Sequence, residues 1–196
     1  MPIDTAEAVT KRLVVAGPSA LLIARLRGGL IRDCIGRGVR VLAMAPAMRA
    51  EDAPALMSMG ADVEAFVLRD KGFSLWPERK AIGILAAQLV MSRPDAVLAF
   101  GTDAPFVVAA AKRARVKRIV LLINELPGRA KSVKSAKLRR AVKSSNVTIV
   151  HNVDDERILS EANLVPPGRI VRVAGAGADI AKQTAGVTLV SGDLRG

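Results

Sequence analysis

The chain has 196 residues, of which 51% are apolar, and it carries a formal net charge of +12. That size and apolar share fit one compact α/β domain with a sizeable core and exclude a disordered chain. The charge excess attracts polyanions, whether nucleic acid, anionic lipid or phosphorylated substrate. Aromatics are only 3%, with no Tyr and one Trp, Trp76, which argues against the stacking platforms that bind single-stranded nucleic acid.

The lone cysteine, Cys34, rules out an intrachain disulfide and a cysteine-rich metal site. It sits in an apolar, helix-like segment and reads as a small buried hydrophobe. The single histidine, His151, rules out a histidine-rich metal site. No metal is expected. The N-terminal stretch MPIDTAEAVTKR has acids and no apolar signal core, and no apolar run reaches the length of a membrane span. The longest candidate, Ala81 to Met91, is short and contains Gln88. These features point to a cytoplasmic protein.

In chain order, Arg12 to Ala16 reads as the first strand, followed by a loop, GPSALLIARLRGG. Gly29 to Arg37 then reads as a helix with Leu30, Ile31, Cys34 and Ile35 on one face, ended by Gly38. Val39 to Met44 is the second strand, Ala53 to Met59 a short helix closed by Gly60, and Val63 to Leu68 the third strand. A polar loop leads to Pro77, which suits the first turn of a helix running to about Ser92. Arg93-Pro94-Asp95 breaks it before the strand Ala96 to Phe100. Ala104 to Arg115 is a helix with Asp103 at its start and Lys112, Arg113 and Arg115 at its end, charges that suit the helix dipole. Arg118 to Ile123 is a strand, Lys131 to Lys143 a basic helix, Val147 to Val150 a strand, Val153 to Ala162 a helix, and Ile170 to Ala174 a strand. Strands that are continuous Val, Ile and Leu runs, alternating with helices, predict an open, mostly parallel sheet covered on both faces. Ligands then belong at the carboxyl ends of the strands.

Those ends carry the candidate site residues. The first strand is followed by neither G-x-G-x-x-G nor G-x-x-x-x-G-K-[ST], so the main support for dinucleotide or nucleotide-triphosphate binding is missing. Gly28 and Gly29, placed just before the predicted helix, allow either a tight turn or backbone N–H groups that approach an anion. Gly101, Thr102 and Asp103 follow the fourth strand; Thr102 or Asp103 either caps the next helix or contacts an acceptor. Asn124 and Glu125 follow the fifth strand, and Glu125 has no partner in the sequence that would make it a general base. His151 precedes Asn152-Val153-Asp154-Asp155, where Asn152 reads as an N-cap and the acids suit the first helical turn; the alternative to this capping reading is that His151 contacts a ligand.

The run Arg129 to Lys143 has seven basic residues and no acid. It reads as a solvated helix face, as a helix lying on an anionic membrane, or as a nucleic-acid contact. Near the C-terminus, VRVAGAGADI looks at first like a phosphate turn, but it follows the last strand of the pattern rather than the first.

Taken in order, several segments resemble the N-terminal half of family 4 glycosyltransferases, especially those of bacterial surface-polysaccharide synthesis. They are RLRGGLIRDCIGRGVRVLAMAP, FSLWPERKAIGILAAQLVMSRPDAVLAF, AAAKRARVKRIVLLI, and LRRAVKSSNVTIVHNVDDERILSEANLVPPGRIVRVAGAGADI. The resemblance implies a Rossmann-like three-layer sandwich, the N-terminal lobe of a GT-B fold, over residues 1–180, with residues 181–196 as linker and first strand of a C-terminal lobe. It implies retaining transfer of a hexosyl group from a nucleotide-sugar donor to a glycan or lipid-linked acceptor, with no cofactor beyond that donor. On it, Gly28 and Gly29 approach the donor diphosphate, and Gly101, Thr102, Asp103, Asn124 and Glu125 face the acceptor. Lys134, Lys137, Arg139 and Arg140 face an anionic membrane, at the inner surface of the plasma membrane. Gly175, Gly177 and Asp179 form a hinge.

The paired glutamates of the family's C-terminal lobe are absent, and so is a histidine often found after the strand that here ends at Ile123. No catalytic residue is therefore assigned. The expectation is a lobe that transfers no sugar alone and needs its second lobe in cis or in trans. The alternative is a basic α/β module that binds nucleic acid or another anion without catalysis.

Overall fold

The structure is a computed structural model, and it describes residues 10–46, 48, 51–68, 77–124, 126, 135–166 and 168–173. Strands and helices alternate as β1 (Arg12–Ala16), α1 (Ala20–Gly36), β2 (Arg40–Pro46), α2 (Pro54–Met57), β3 (Asp62–Phe66), α3 (Pro77–Ser92) and β4 (Ala96–Phe100). They continue as α4 (Ala104–Arg113), β5 (Arg118–Ile123), α5 (Ala136–Ser144), β6 (Val147–Val150), α6 (Val153–Glu161) and β7 (Ile170–Arg172). The strands form one sheet in the order β3-β2-β1-β4-β5-β6-β7, and every neighbouring pair is parallel.

Side-chain alternation along the strands builds the three layers. Val14 and Ala16 of β1, with Val97 and Ala99 of β4, face a core shared with Leu85 and Leu89 of α3, Val107 and Val108 of α4, and Val142 of α5. Leu13 and Val15, with Leu98 and Phe100, face the opposite core, made with Ile23, Leu30, Ile31 and Cys34 of α1 and Leu56 of α2. β4 is buried along its whole length, as a central strand covered on both faces must be.

The strand order fixes the switch point of the sheet. From β1 the chain builds outward through β2 to β3, then returns to place β4 on the other side of β1. The connections after β1 and β4 therefore leave toward opposite faces, α1 on one and α4 on the other, which makes the β1–β4 boundary the switch point of the sheet.

Most elements lie where the sequence predicts them, and one does not. The segment GPSALLIARLRGG is not a long loop: α1 begins at Ala20, with Ser19 as its N-cap accepting the Leu22 N–H at 3.2 Å. Gly28 and Gly29 thus lie inside a helix, not before one. The reason is packing. A Cβ on Gly28 would stand 3.0 Å from the Met59 Cε and 3.2 Å from its Sδ, so this glycine lets the helix approach Met59. Apolar burial by Ile23, Leu30 and Ile31 outweighs the cost of about 1 kcal/mol for each glycine in a helix. Smaller differences lie at boundaries. β2 begins at Arg40 and runs to Pro46, β3 stops at Phe66, α4 stops at Arg113 and α6 at Glu161. α5 starts at Ala136, and residues 131–134 of the predicted basic helix lie outside the described residues.

Candidate functional site

The carboxyl edge is held together by two loops pressed against each other. Gly101 has a φ of +85°, and a Cβ there would stand 2.3 Å from Cγ of Pro18 in the loop after β1. Gly17 is equally confined: its Cβ would meet the Phe100 ring at 2.5 Å. Both positions require glycine, one for conformation and contact, the other for contact alone.

Arg27, which sequence reasoning missed, is the charged centre of this edge. It rises from α1 and is only 4% exposed. Its guanidinium carbon lies 4.9 Å from the centroid of the Phe100 ring, a cation–π placement. Nη2 donates to Asn124 Oδ1 at 3.0 Å, and Nη1 donates to the carbonyl of Leu26 at 2.9 Å. Nε is buried and has no partner. Burial lowers the pKa of this arginine. The signal that could have found it is Ser19: recognised as an N-cap, it starts the helix early and puts Arg27 on the same face as Ile23, Leu30, Ile31 and Cys34.

His151 follows β6, and Arg27 is near enough to act on it. Burial, then the Arg27 charge, lower the imidazole pKa, while a hydrogen bond to the main chain of Val173 and the Asp155 charge oppose this. The ring Nδ1 is buried without a partner. Asp155, 1% exposed, accepts from Asn152 Nδ2 at 2.8 Å and from the Leu126 N–H at 3.3 Å. Asn152 is the N-cap predicted from sequence; its Oδ1 accepts the Asp155 N–H at 2.7 Å.

The expected cap at α4 is different. Asp103 occupies the N-cap position, but its side chain makes no capping bond; the Phe106 and Val107 N–H groups donate to its main-chain carbonyl instead. Burial raises the Asp103 carboxyl pKa, and a side-chain hydrogen bond from Thr102 opposes the shift. Two adjoining clefts open beside it. One, of about 460 Å³, is lined by Thr102, Pro105, Ile123, Asn124, Ser135 and Lys137. The other, of about 860 Å³, is lined by Phe66, Leu68, Glu78, Thr102, Asp103 and Lys137 among others. Lys137 reaches across from α5 to pair with Glu78 of α3 at 2.8 Å. Arg139 and Arg140 are exposed on α5.

The fold thus brings Gly101, Thr102, Asp103, Asn124, Lys137 and His151 to one edge, and adds Arg27. It removes Gly28 and Gly29 from any loop. Glu125, Lys134, Gly175, Gly177 and Asp179 lie outside the described residues. Among the described residues no group of three or more His, Cys, Asp or Glu side chains could hold a metal. No described helix is long and apolar enough to cross a membrane.

No family model matches the sequence, and no curated protein matches it. Solved structures do. HepE of Anabaena, in complex with UDP and glucose, superposes with a TM-score of 0.57 at 19% identity, over 83% of this chain and 44% of that one. MurG of Acinetobacter baumannii gives 0.58 at 15% identity, over 84% and 45%. UDP-N-acetylglucosamine 2-epimerase of Rickettsia bellii gives 0.59 at 17% identity, over 92% and 48%. This chain has the fold of a GT-B lobe. It spans under half the length of those three proteins. At the switch point between β1 and β4, Pro18 packs on Gly101 and Gly17 on Phe100, and the clefts open beside this contact, at Thr102.

Proposed function

We propose that this chain is the N-terminal, acceptor-binding lobe of a retaining family 4 glycosyltransferase. The whole enzyme moves a hexosyl group from a nucleotide-sugar donor to a glycan or lipid-linked acceptor in surface-polysaccharide synthesis. The observation that carries this reading is the GT-B lobe fold, matched along most of this chain but over less than half of each larger protein. The motif order noted in the sequence supports the narrower family assignment.

In this reading the clefts at Thr102, Asp103 and Asn124 receive the acceptor. Asp103, whose carboxyl is partly desolvated, accepts a hydrogen bond from an acceptor hydroxyl, and the apolar wall of Phe66, Leu68 and Phe106 excludes water. Arg139 and Arg140, with Lys137 and Lys134, draw the lobe to anionic lipid at the inner membrane face. Sugar transfer itself needs the second lobe, which supplies the donor site.

The test pairs activity with binding. The chain alone, given nucleotide sugars and a lipid-diphosphate sugar acceptor, is expected to bind the acceptor and turn over none of it. Turnover by the chain alone would overturn the lobe reading. Sedimentation with anionic liposomes, compared with DNA binding at matched salt, separates the alternative. Charge reversal of Lys137, Arg139 and Arg140 is expected to abolish liposome binding, whereas tight DNA binding without lipid binding would favour a nucleic-acid module.

A further inference from the structure

We propose that Arg27 is the anchor of an anion site for a phosphate or diphosphate group, and that Asn124 occupies the place of that anion in the free protein. The fork geometry of the guanidinium carries the inference. Nε and Nη2 point along one edge, spaced to meet two oxygens of a single oxyanion. Here that edge is half filled. Nη2 has the carboxamide oxygen of Asn124, at 3.0 Å, and Nε has nothing.

A buried cation is ordinarily matched by a buried anion. Arg27 is 4% exposed, yet among the described residues no carboxylate forms an ion pair with it. Asp155, the buried acid of this edge, is already committed to Asn152 Nδ2 and the Leu126 N–H. Arg27 instead has a neutral amide, one carbonyl and the face of Phe100. Asn124 is exposed and follows the end of β5, so its side chain can turn outward and leave Nη2 and Nε to one incoming oxyanion. His151, near enough for the Arg27 charge to act on it and with a buried, unpartnered Nδ1, supplies a further positive charge when protonated. The inference rests on the glycosyltransferase reading only for what carries the anion, a nucleotide or a lipid. The site itself is testable whether or not that reading holds.

His151 is the only histidine, so its ring resonances report on the site without ambiguity. Inorganic pyrophosphate is titrated into the ¹³C-labelled chain and the imidazole pKa is read by NMR. A saturable shift is expected, with the His151 pKa rising by about half a unit or more as the Arg27 charge is neutralised. Arg27→Gln should weaken pyrophosphate binding by about tenfold or more. Arg27→Lys, which keeps the charge and loses the fork, should weaken it by about fivefold and serves if the glutamine variant does not fold. Asn124→Ala should bind at least as tightly as the parent. UDP and geranyl diphosphate, compared with pyrophosphate, assign the source: tighter binding of either supports the site and names its carrier. No saturable shift at His151, undiminished binding by Arg27→Lys, or loss of binding in Asn124→Ala would overturn the proposal.

Discussion

At Gly101 and Cys34 single residues report how tightly the molecule is built. Gly101→Ala must accept a left-handed backbone and a clash with Pro18 at 2.3 Å. It should lose about 2–4 kcal/mol in urea denaturation. Cys34 is fully buried, and burial, followed by the neighbouring Asp33 charge, pushes its thiol up to about 11. At pH 8 only about one molecule in a thousand would carry the thiolate. Ellman's reagent should therefore label native protein at the rate at which the α1 side of the core opens, and rapid labelling at mild pH would contradict the burial. The burial of Cys34 is legible in the sequence, because an apolar helical face announces its own interior. That of Arg27 is not. A charged residue among apolar ones reads as surface until the helix is known to extend past it, and what makes Arg27 consequential is a partner, Asn124, 97 positions along the chain.

Elements are legible where local chemistry and tertiary packing agree. β1, β4, β5 and β6 have the bounds that their Val, Ile and Leu runs predict. α6 starts at its Asn152 cap, and Asn152→Ala should cost about 1 kcal/mol by thermal denaturation, since it also takes a partner from Asp155. α1 shows the opposite case. The glycine pair looks like punctuation, yet Gly28 is there because α1 passes close to Met59; contact with a residue 31 positions on leaves no mark in the local pattern. α5 reads as basic and amphipathic, and the structure gives one of its charges a definite role, since Lys137 joins α5 to α3 through Glu78. That pair is exposed on both sides, so Lys137→Ala should change stability by less than about 1 kcal/mol. A large loss on denaturation would show that the helix is held by charge and not by Ala141 and Val142 beneath it.

For the whole molecule, pH acts through His151. Its folded pKa lies below the ordinary 6.5, first through burial and then through Arg27. Below that ordinary value the unfolded chain takes up the proton more readily than the folded one. Stability should accordingly fall as pH drops from 6.5 through the folded value, and the His151→Gln variant should show a shallower slope in the same urea series. The three-layer architecture itself is legible in the sequence, since alternation of buried strands with helices permits few other arrangements. The strand order has a further consequence, one that concerns synthesis. β1 pairs with β2 on one side and with β4 on the other, and the Arg12 N–H bonds to Asp95, 83 positions later. The ribosome releases β1, α1, β2 and β3 first, so half a sheet can assemble while the inner edge of β1 still waits, unpaired, for β4. Any delay in translation between residues 66 and 96 would lengthen the exposure of that edge, and the nascent chain would be most vulnerable to misassociation at the place where the finished protein presses the loops after β1 and β4 together.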